Sequence, residues 1–191
     1  MSRLGVSHTT TVVVYETDDG PWGPWCGRFW WALRYYGHED VKLLNGGLEK
    51  WRRELRPREK TVVLPNPATF TAQAHPELRA TFTEVQALVG STNVIILDSL
   101  SVNHHTGVQS DMPGIPAGHI PSSKNVPAPS NLDANYLLRL PPERLAATYV
   151  QAGVTPDKEV ITYCGGGYSG GGHYSGGHSS RRDFDDRLGD R

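Results

Sequence analysis

A short apolar strand that runs directly into a cysteine and three glycines constrains this chain more than any other stretch. It reads Val160-Ile-Thr-Tyr163, followed by Cys164 and then Gly165, Gly166 and Gly167. Glycine adopts the positive φ values of a tight loop, so the backbone after the cysteine can turn sharply and aim several N–H groups at one atom. Such donors favour the thiolate, the nucleophilic form of cysteine. The stretch predicts a reactive cysteine at a strand end; the alternative is a packed cysteine before a flexible tail.

Short β-branched strands alternate with amphipathic segments in the first part of the chain. The predicted order is a strand that ends at Glu16, a helix from Pro24 to Gly37, a strand over 41–44 and a helix from Leu48. Alternation of this kind predicts an α/β fold with a parallel sheet flanked by helices.

The most apolar strand of the chain is Val94-Ile-Ile-Leu97, which ends at Asp98. The carboxyl ends of parallel strands are where α/β folds place ligands, so Asp98 is a candidate site residue. The residues Thr83-Glu-Val-Gln86 have the spacing of a capping box and predict the start of the preceding helix, with Phe82 available as a hydrophobic staple. A further helix is expected from Pro141.

Three histidines lie in the long irregular stretch over 99–124, namely His104, His105 and His119. Loops of this length in a compact domain are often functional. A zinc site would need ligand pairs at diagnostic spacing, which these histidines lack, so the sequence predicts no metal and no other cofactor.

Composition excludes several classes of function. The formal net charge is −1 with no basic block, which favours neither nucleic acid nor a membrane surface as a partner. No apolar run is long enough to cross a membrane, and no signal peptide is recognisable at the first residues. The two cysteines, Cys26 and Cys164, form no disulfide framework, so a cytoplasmic protein is expected. Cys26 lacks a glycine loop and is interpreted as a packing residue.

Two stretches of the chain align with each other without a gap. Gly5-Val-Ser is matched by Gly153-Val-Thr, both stretches continue with β-branched residues, and Tyr15 falls opposite Tyr163. Cys164 then falls opposite Glu16. The alignment indicates a duplicated unit, with a thiol at the strand end of only one copy.

Several segments of the chain follow one another in a recognisable order. They read Gly5 to Tyr15, Arg28 to His38, Val41 to Trp51 with its ending Asn45-Gly-Gly-Leu-Glu-Lys-Trp51, Phe82 to Asp98, Pro116-Ala-Gly-His-Ile-Pro121, Asn125-Val-Pro127 and Tyr163-Cys-Gly-Gly-Gly167. In this order they resemble the two-domain rhodanese-type sulfurtransferases, which act on thiosulfate or 3-mercaptopyruvate. The first three resemble the second half of that family's first domain, the fourth the opening helix and strand of its catalytic domain, and the rest its Gly-His-Ile-Pro segment and its cysteine loop.

The resemblance implies a chemistry and a set of residues for it. Cys164 would take the outer sulfur of a donor as a persulfide and pass it to cyanide or a thiol, with no cofactor and with small molecules as the only partners. The backbone N–H groups of the loop would hold the anionic sulfur. The implied binding residues are Asp98, His104, Gly165, Gly166, Gly167, Tyr168 and Ser169.

The resemblance also implies four segments and a family pattern truncated at both ends. Residues 1–57 correspond to the later half of an inactive domain, 58–81 to a linker and 82–169 to the earlier part of a catalytic domain. Residues 170–191 lack the apolar side chains of a buried helix and are expected to be disordered. The two incomplete copies are alternatively one permuted unit, in which the strands ending at Glu16 and Cys164 compete for one central position.

Departures from the family pattern leave other functions open. Leu100, His104 and Thr106 stand where many relatives carry arginines, which bears on the binding of an anionic donor. Cysteine phosphatases share this loop design, but they need an arginine where Gly170 stands. The remaining alternatives are a silent binding or regulatory module and a loosely spaced metal set of Cys164, His173 and His178.

Overall fold

A computed structural model describes residues 1–17, 26–110, 117–135 and 138–164, together with the backbone of 179–183. Within these ranges the chain forms seven strands and five α-helices. In chain order they are β1 (Val12–Val14), α1 (Cys26–Tyr35), β2 (Val41–Leu43), α2 (Gly47–Arg53), β3 (Arg79–Ala80), α3 (Phe82–Leu88), β4 (Val94–Asp98), α4 (Val102–His105), β5 (Lys124–Asn125), α5 (Pro142–Gln151), β6 (Glu159–Tyr163) and β7 (Ser179–Asp183).

The first sheet contains two parallel strands, β1 and β2, joined through α1. The predicted strand, helix, strand and helix of this part are confirmed, although the predicted helix start at Pro24 lies outside the described residues. Helix α1 ends at Tyr35, and Gly37, two residues later, has a φ of 84°, the left-handed conformation that glycine adopts without a steric penalty. The N–H of His38 returns to the carbonyl of Leu33 at 2.8 Å and closes the last turn.

The second sheet has the strand order β3-β7-β6-β4-β5. Strands β5, β4 and β6 are parallel, as the apolar runs predict, whereas β7 pairs with β6 and β3 in the antiparallel sense. The register of β4 and β6 places Val94 opposite Glu159 and Asp98 opposite Tyr163. The carboxyl ends of these two strands therefore lie side by side.

Each face of the second sheet is covered by its own apolar cluster. On one face α3 packs against Ile96 and Ile161, with Ala80 at the edge, and all three side chains are at most 2% exposed. On the other face Tyr149 of α5 and the following Val154 pack against Leu97. Helices on both faces of a largely parallel sheet are the α/β architecture expected from the sequence.

The helix before β4 begins two residues earlier than the predicted capping box. The side chain of Thr81 accepts a hydrogen bond from the N–H of Glu84 at 3.3 Å, and the Glu84 carboxylate accepts from the N–H of Thr81 at 2.7 Å. Thr83 lies inside α3, so the box predicted from Thr83 is wrong. A charged Glu84 is the stronger acceptor at a helix start than the amide of Gln86, because the helix dipole favours negative charge there.

The hypothesis of a single permuted unit is wrong. The strand before Glu16 pairs with β2 in one sheet, and the strand before Cys164 pairs with β4 and β7 in the other, so the two do not compete for one position. The expectation of a disordered tail is also not met at 179–183, whose backbone forms β7. A sheet edge pairs through backbone N–H and C=O groups, and a segment without apolar side chains can supply these.

The segment predicted as a linker is 58–81. Its last residues contain a 3-10 helix (Pro76–Leu78) and β3 (Arg79–Ala80), whereas 58–75 contains no helix or strand and returns to the N-terminal part of the chain. The N–H of Ala68 donates to the carbonyl of Ser2 at 2.9 Å, and the N–H of His75 donates to the carbonyl of Tyr35 at 2.8 Å. The indole N–H of Trp31 reaches the carbonyl of Leu78 at 3.1 Å. Across the described ranges, no helix has the length and apolar character needed to cross a membrane.

Candidate functional site

Cys164 lies at the carboxyl edge of the second sheet, immediately after β6. The neighbouring β4 ends at Asp98, and the N–H of Ser99 donates to the carbonyl of Tyr163 at 2.9 Å. The two strands are therefore hydrogen-bonded up to the last residue before the cysteine. Cys164 is half-buried and forms no disulfide. The sequence placed the thiol at a strand end, and this is confirmed.

The remaining loop residues of the prediction lie outside the residues that the structure describes. These are Gly165, Gly166, Gly167, Tyr168 and Ser169. Their part in binding stays a prediction.

Asp98 is completely buried at the end of β4. One oxygen of its carboxylate accepts a hydrogen bond from the N–H of Leu100 at 2.9 Å, and the other faces Nδ1 of His105 at 2.9 Å. The amide of Asn125 donates to the carbonyls of Asp98 and Leu100 at 3.0 and 2.9 Å. These bonds fix the turn that carries the chain from β4 into α4.

Tyr163, the residue before Cys164, is anchored through its hydroxyl. The N–H of Ile120 donates to that oxygen at 3.1 Å, and the hydroxyl of Ser123 lies 3.1 Å away. Burial raises the pKa of Tyr163 to about 12, and the nearby Asp98 carboxylate acts in the same direction. The phenol is therefore protonated at neutral pH and serves as a hydrogen-bonding anchor for the strand end.

His104 and His105 occupy different environments in α4. His104 is 8% exposed, and its Nδ1 lies 2.7 Å from the hydroxyl of Ser101, the N-cap residue. The imidazole of His105 is 16% exposed and stacks on that of His119, with ring centroids 3.8 Å apart. Nδ1 of His119 in turn lies 2.6 Å from the carbonyl of His105. The structure thus gathers the three histidines of the irregular stretch around the end of β4.

The strand that ends at Glu16 has a different neighbourhood. The Glu16 carboxylate accepts a hydrogen bond from the N–H of Cys26, the first residue of α1. The Cys26 side chain is 6% exposed, in agreement with its interpretation as a packing residue. Burial, followed by the Glu16 charge, raises the pKa of Cys26 to about 11, so this thiol is protonated at neutral pH.

Sequence reasoning did not assign a role to Tyr163, His105, Ser123 or Asn125. Tyr163 was noted as a strand residue, as a matched position of the repeat and as the first residue of the cysteine-loop segment, and Asn125 only as part of a family segment. Within the described part of the chain, no three His, Cys, Asp or Glu side chains form a group that could hold a metal ion.

Residues 81–178 match the family model of the Rhodanese-like domain. The chain is 34% identical over 174 residues to the sulfur carrier protein TtuD of Thermus thermophilus, an alignment that covers 86% of this chain and 60% of TtuD. It is 32% identical over 162 residues to a thiosulfate sulfurtransferase of Pseudomonas aeruginosa, covering 85% and 58% of the two chains.

Among solved structures, the chain is similar to SseA of Escherichia coli, described as a 3-mercaptopyruvate sulfotransferase with the rhodanese fold. The TM-score is 0.70 with 27% sequence identity, and the superposition covers 84% of this chain and 58% of SseA. The chain therefore spans somewhat more than half the length of these relatives.

Proposed function

Because the chain belongs to the rhodanese-like family, we propose that it transfers sulfur through a persulfide on Cys164. The observation that carries this proposal is the position of Cys164 directly after β6, at the edge where β4 also ends. The family match extends across this cysteine. Ligands of α/β sheets bind at this edge, and a thiol there is accessible to a small sulfur donor.

The proposed first step forms the persulfide. The Cys164 thiolate bonds to the outer sulfur of thiosulfate, the sulfur–sulfur bond of the donor breaks, and sulfite leaves with that electron pair. A thiophilic acceptor, cyanide or a thiol, removes the sulfur in the second step and returns Cys164 as thiolate. The backbone N–H groups of 165–169 are proposed to hold the anionic sulfur, since fixed dipoles stabilise charge where it develops.

The alternative donor is 3-mercaptopyruvate, which carries the same transferable sulfur next to a carbonyl. The names of the relatives include sulfur carriage, thiosulfate and 3-mercaptopyruvate, so the choice of donor for this chain is a matter for assay. Asp98 and His104 are proposed to belong to the binding site. Because both side chains are buried, they are proposed to support the end of β4 beside the cysteine.

We propose that the chain carries two incomplete rhodanese-like units, 1–57 and 82–169, with 58–81 as the linker between them. The separate sheets and the ungapped repeat support this division. The N-terminal unit is proposed to be inactive, because Glu16 stands where the other unit has its thiol. Two cysteines that are not in a disulfide are compatible with the proposed cytoplasmic location.

The test is a thiosulfate-to-cyanide sulfur-transfer assay on the chain and on two variants. Cys164→Ser is expected to reduce transfer to background, because an alkoxide at that position does not form a persulfide. Cys26→Ser is the matched control and is expected to retain activity, because that thiol is buried away from the site. Equal rates for the chain and Cys164→Ser would contradict the proposal and would favour a silent binding module.

A further inference from the structure

The Asp98 carboxylate faces the side chain of His105. It is fully buried, it lies at the end of a central strand, and one of its oxygens is already occupied by the N–H of Leu100. The second oxygen faces Nδ1 of His105 at 2.9 Å. A carboxylate in this position accepts the Nδ1 proton, which fixes the neutral imidazole as the tautomer whose Nε2 is a proton acceptor.

Among the contacts that the described residues make, His105 combines a buried carboxylate partner with solvent access. Its imidazole is 16% exposed, whereas His104 is 8% exposed and its Nδ1 lies beside the Ser101 hydroxyl. Nδ1 of His119 lies beside a backbone carbonyl. Within the described part of the structure, the hydrogen bond of His105 uses Nδ1, and Nε2 makes none.

The sheet register brings this pair next to the cysteine. Asp98 lies opposite Tyr163 on neighbouring parallel strands, which are separated by about 4.8 Å, and Cys164 is the next residue. The N–H of Ser99 holds the two strand ends together at 2.9 Å. The backbone of Cys164 thus lies one residue beyond the position paired with Asp98, the residue that faces His105.

We propose that His105, held by Asp98, is the general base that deprotonates a thiol acceptor in the second half of the sulfur-transfer reaction. The inference rests on the proposed function, since it needs the Cys164 persulfide. It adds the residue that acts on the acceptor and the acceptor class, a neutral thiol. A free thiol is mostly protonated at neutral pH and attacks slowly until it loses that proton.

The step balances without any further reactant. The acceptor sulfur bonds to the anionic outer sulfur of the Cys164 persulfide while its own proton passes to Nε2 of His105. The sulfur–sulfur bond to Cys164 breaks, and its electron pair remains on Cys164 as thiolate. The acceptor leaves as a persulfide anion, and the His105 imidazolium, whose Nδ1 faces the Asp98 carboxylate, returns the acceptor's proton to water.

The titratable groups around His105 come from every element packed against it. They are Asp98 on β4, Tyr163 on β6, His119 on the stretch before β5 and its helix neighbour His104. Among these described groups Asp98 is the one carboxylate, and the Cys164 thiolate or persulfide is the other anion that the proposal places near His105.

The test measures the discharge of sulfur from the isolated, persulfidated protein in a single turnover. Thiosulfate or 3-mercaptopyruvate loads Cys164, the excess donor is removed, and either glutathione or sulfite is added. At a pH slightly above neutral, sulfite is mostly the unprotonated dianion and needs no general base. His105→Gln, which keeps an N–H for Asp98 but offers no base, is expected to slow discharge by glutathione about a hundredfold and to leave discharge by sulfite unchanged.

The pH dependence separates a general base from a structural role. The deficit of His105→Gln should shrink as the pH rises toward the ionisation of the thiol itself, because the thiolate then needs no base. Added imidazole should restore part of the glutathione rate in His105→Ala. His75→Gln is the matched control, since it removes another histidine–carboxylate pair, with Glu77, on the exposed linker.

Three outcomes would overturn the inference. Equal slowing with glutathione and sulfite would make His105 a positioning residue, and an unchanged glutathione rate would leave it without a role. If the wild-type chain takes up no sulfur at Cys164 from either donor, the proposed function fails and this inference fails with it. Should His105→Gln not fold, His105→Asn provides the same comparison.

Discussion

The strand ends at Glu16 and Cys164 are approached by matching sequences and finish in different chemistry. At the first, the anion belongs to the protein: the Glu16 carboxylate accepts a hydrogen bond from the N–H of Cys26 at the start of α1. At the second, the strand ends in a thiol whose persulfide would be the anion. Both strand ends would thus hold a negative charge. On the proposed function, only the end at Cys164 would be a reaction site, because only there would the charge reside on a nucleophile.

The surroundings of the two strand ends differ as much as the residues themselves. Among the described strands β1 pairs with β2 alone, and Tyr15 is 55% exposed, whereas β6 lies between two strands and its matched Tyr163 is hydrogen-bonded through its hydroxyl. The second strand end is therefore held rigidly from both sides. Four variants are designed to break or sharpen this contrast.

Removing the Asp98 carboxylate should have the largest effect on stability. Asp98→Ala leaves the N–H of Leu100 and the His105 imidazole without their buried acceptor, and we expect a loss of about 3–5 kcal/mol in the free energy of unfolding, measured by urea denaturation. Asp40→Ala, at the exposed end of the first sheet, serves as the control and should be neutral. A small loss for Asp98→Ala would contradict the supporting role of this residue.

The thiol reactivity of Cys26 should be suppressed. Its pKa is raised from 9.0 to about 11, so alkylation by iodoacetamide at neutral pH should be on the order of a hundredfold slower than that of an unperturbed thiol with the same reagent. Because only the thiolate reacts, the rate should rise about tenfold for each pH unit until the pH reaches that value. The measurement is mass spectrometry of Cys164→Ser, which leaves Cys26 as the reacting cysteine; a rate that levels off near neutral pH would contradict it.

Matched tyrosines provide the third comparison. Tyr163→Phe removes the acceptor of the Ile120 N–H, and an unpaired buried donor costs about 1–3 kcal/mol in the free energy of unfolding. Tyr15→Phe changes an exposed side chain at the matched position and should leave stability unaltered. Equal effects of the two substitutions in thermal or urea unfolding would show that the two strand ends are supported alike.

Neutralising Glu16 should have the smallest effect. The Glu16 charge is the second cause of the raised Cys26 pKa, so Glu16→Gln should lower that pKa and accelerate alkylation of Cys26. Burial, the larger cause of the raised pKa, remains, so the alkylation rate of Cys26 should stay below that of an unperturbed thiol. Glu59→Gln, in the exposed segment before α3, is the control; equal rates in the two variants would contradict the contact between Glu16 and α1.

Most of the fold could be predicted from the sequence because a short run of apolar residues is enough to indicate a buried strand. Val94–Asp98 and Glu159–Tyr163 form the expected parallel pair, and the cysteine lies at its edge. The capping box could not be assigned correctly, since Thr81 and Thr83 both begin a motif of the right spacing. Strand β7 was not predicted because its segment lacks apolar side chains. It pairs with β6 and β3 through backbone N–H and C=O groups, which leave no pattern in the sequence.

The contacts of the site were less predictable than its position. The strand end identified Asp98 and the family resemblance implied His104, but neither could show that His105, seven residues after Asp98, is the side chain that reaches the carboxylate. That geometry depends on the turn at Leu100 and on the short helix α4. The loop glycines and their N–H groups stay a prediction.

The most direct test of the account is whether Cys164 takes up one sulfur atom. The chain is treated with thiosulfate or 3-mercaptopyruvate, digested under non-reducing conditions, and both cysteine peptides are weighed by mass spectrometry. The account predicts one added sulfur on the Cys164 peptide and none on the Cys26 peptide. Sulfur on neither peptide, or on both equally, would contradict the assignment of Cys164 as the sulfur carrier.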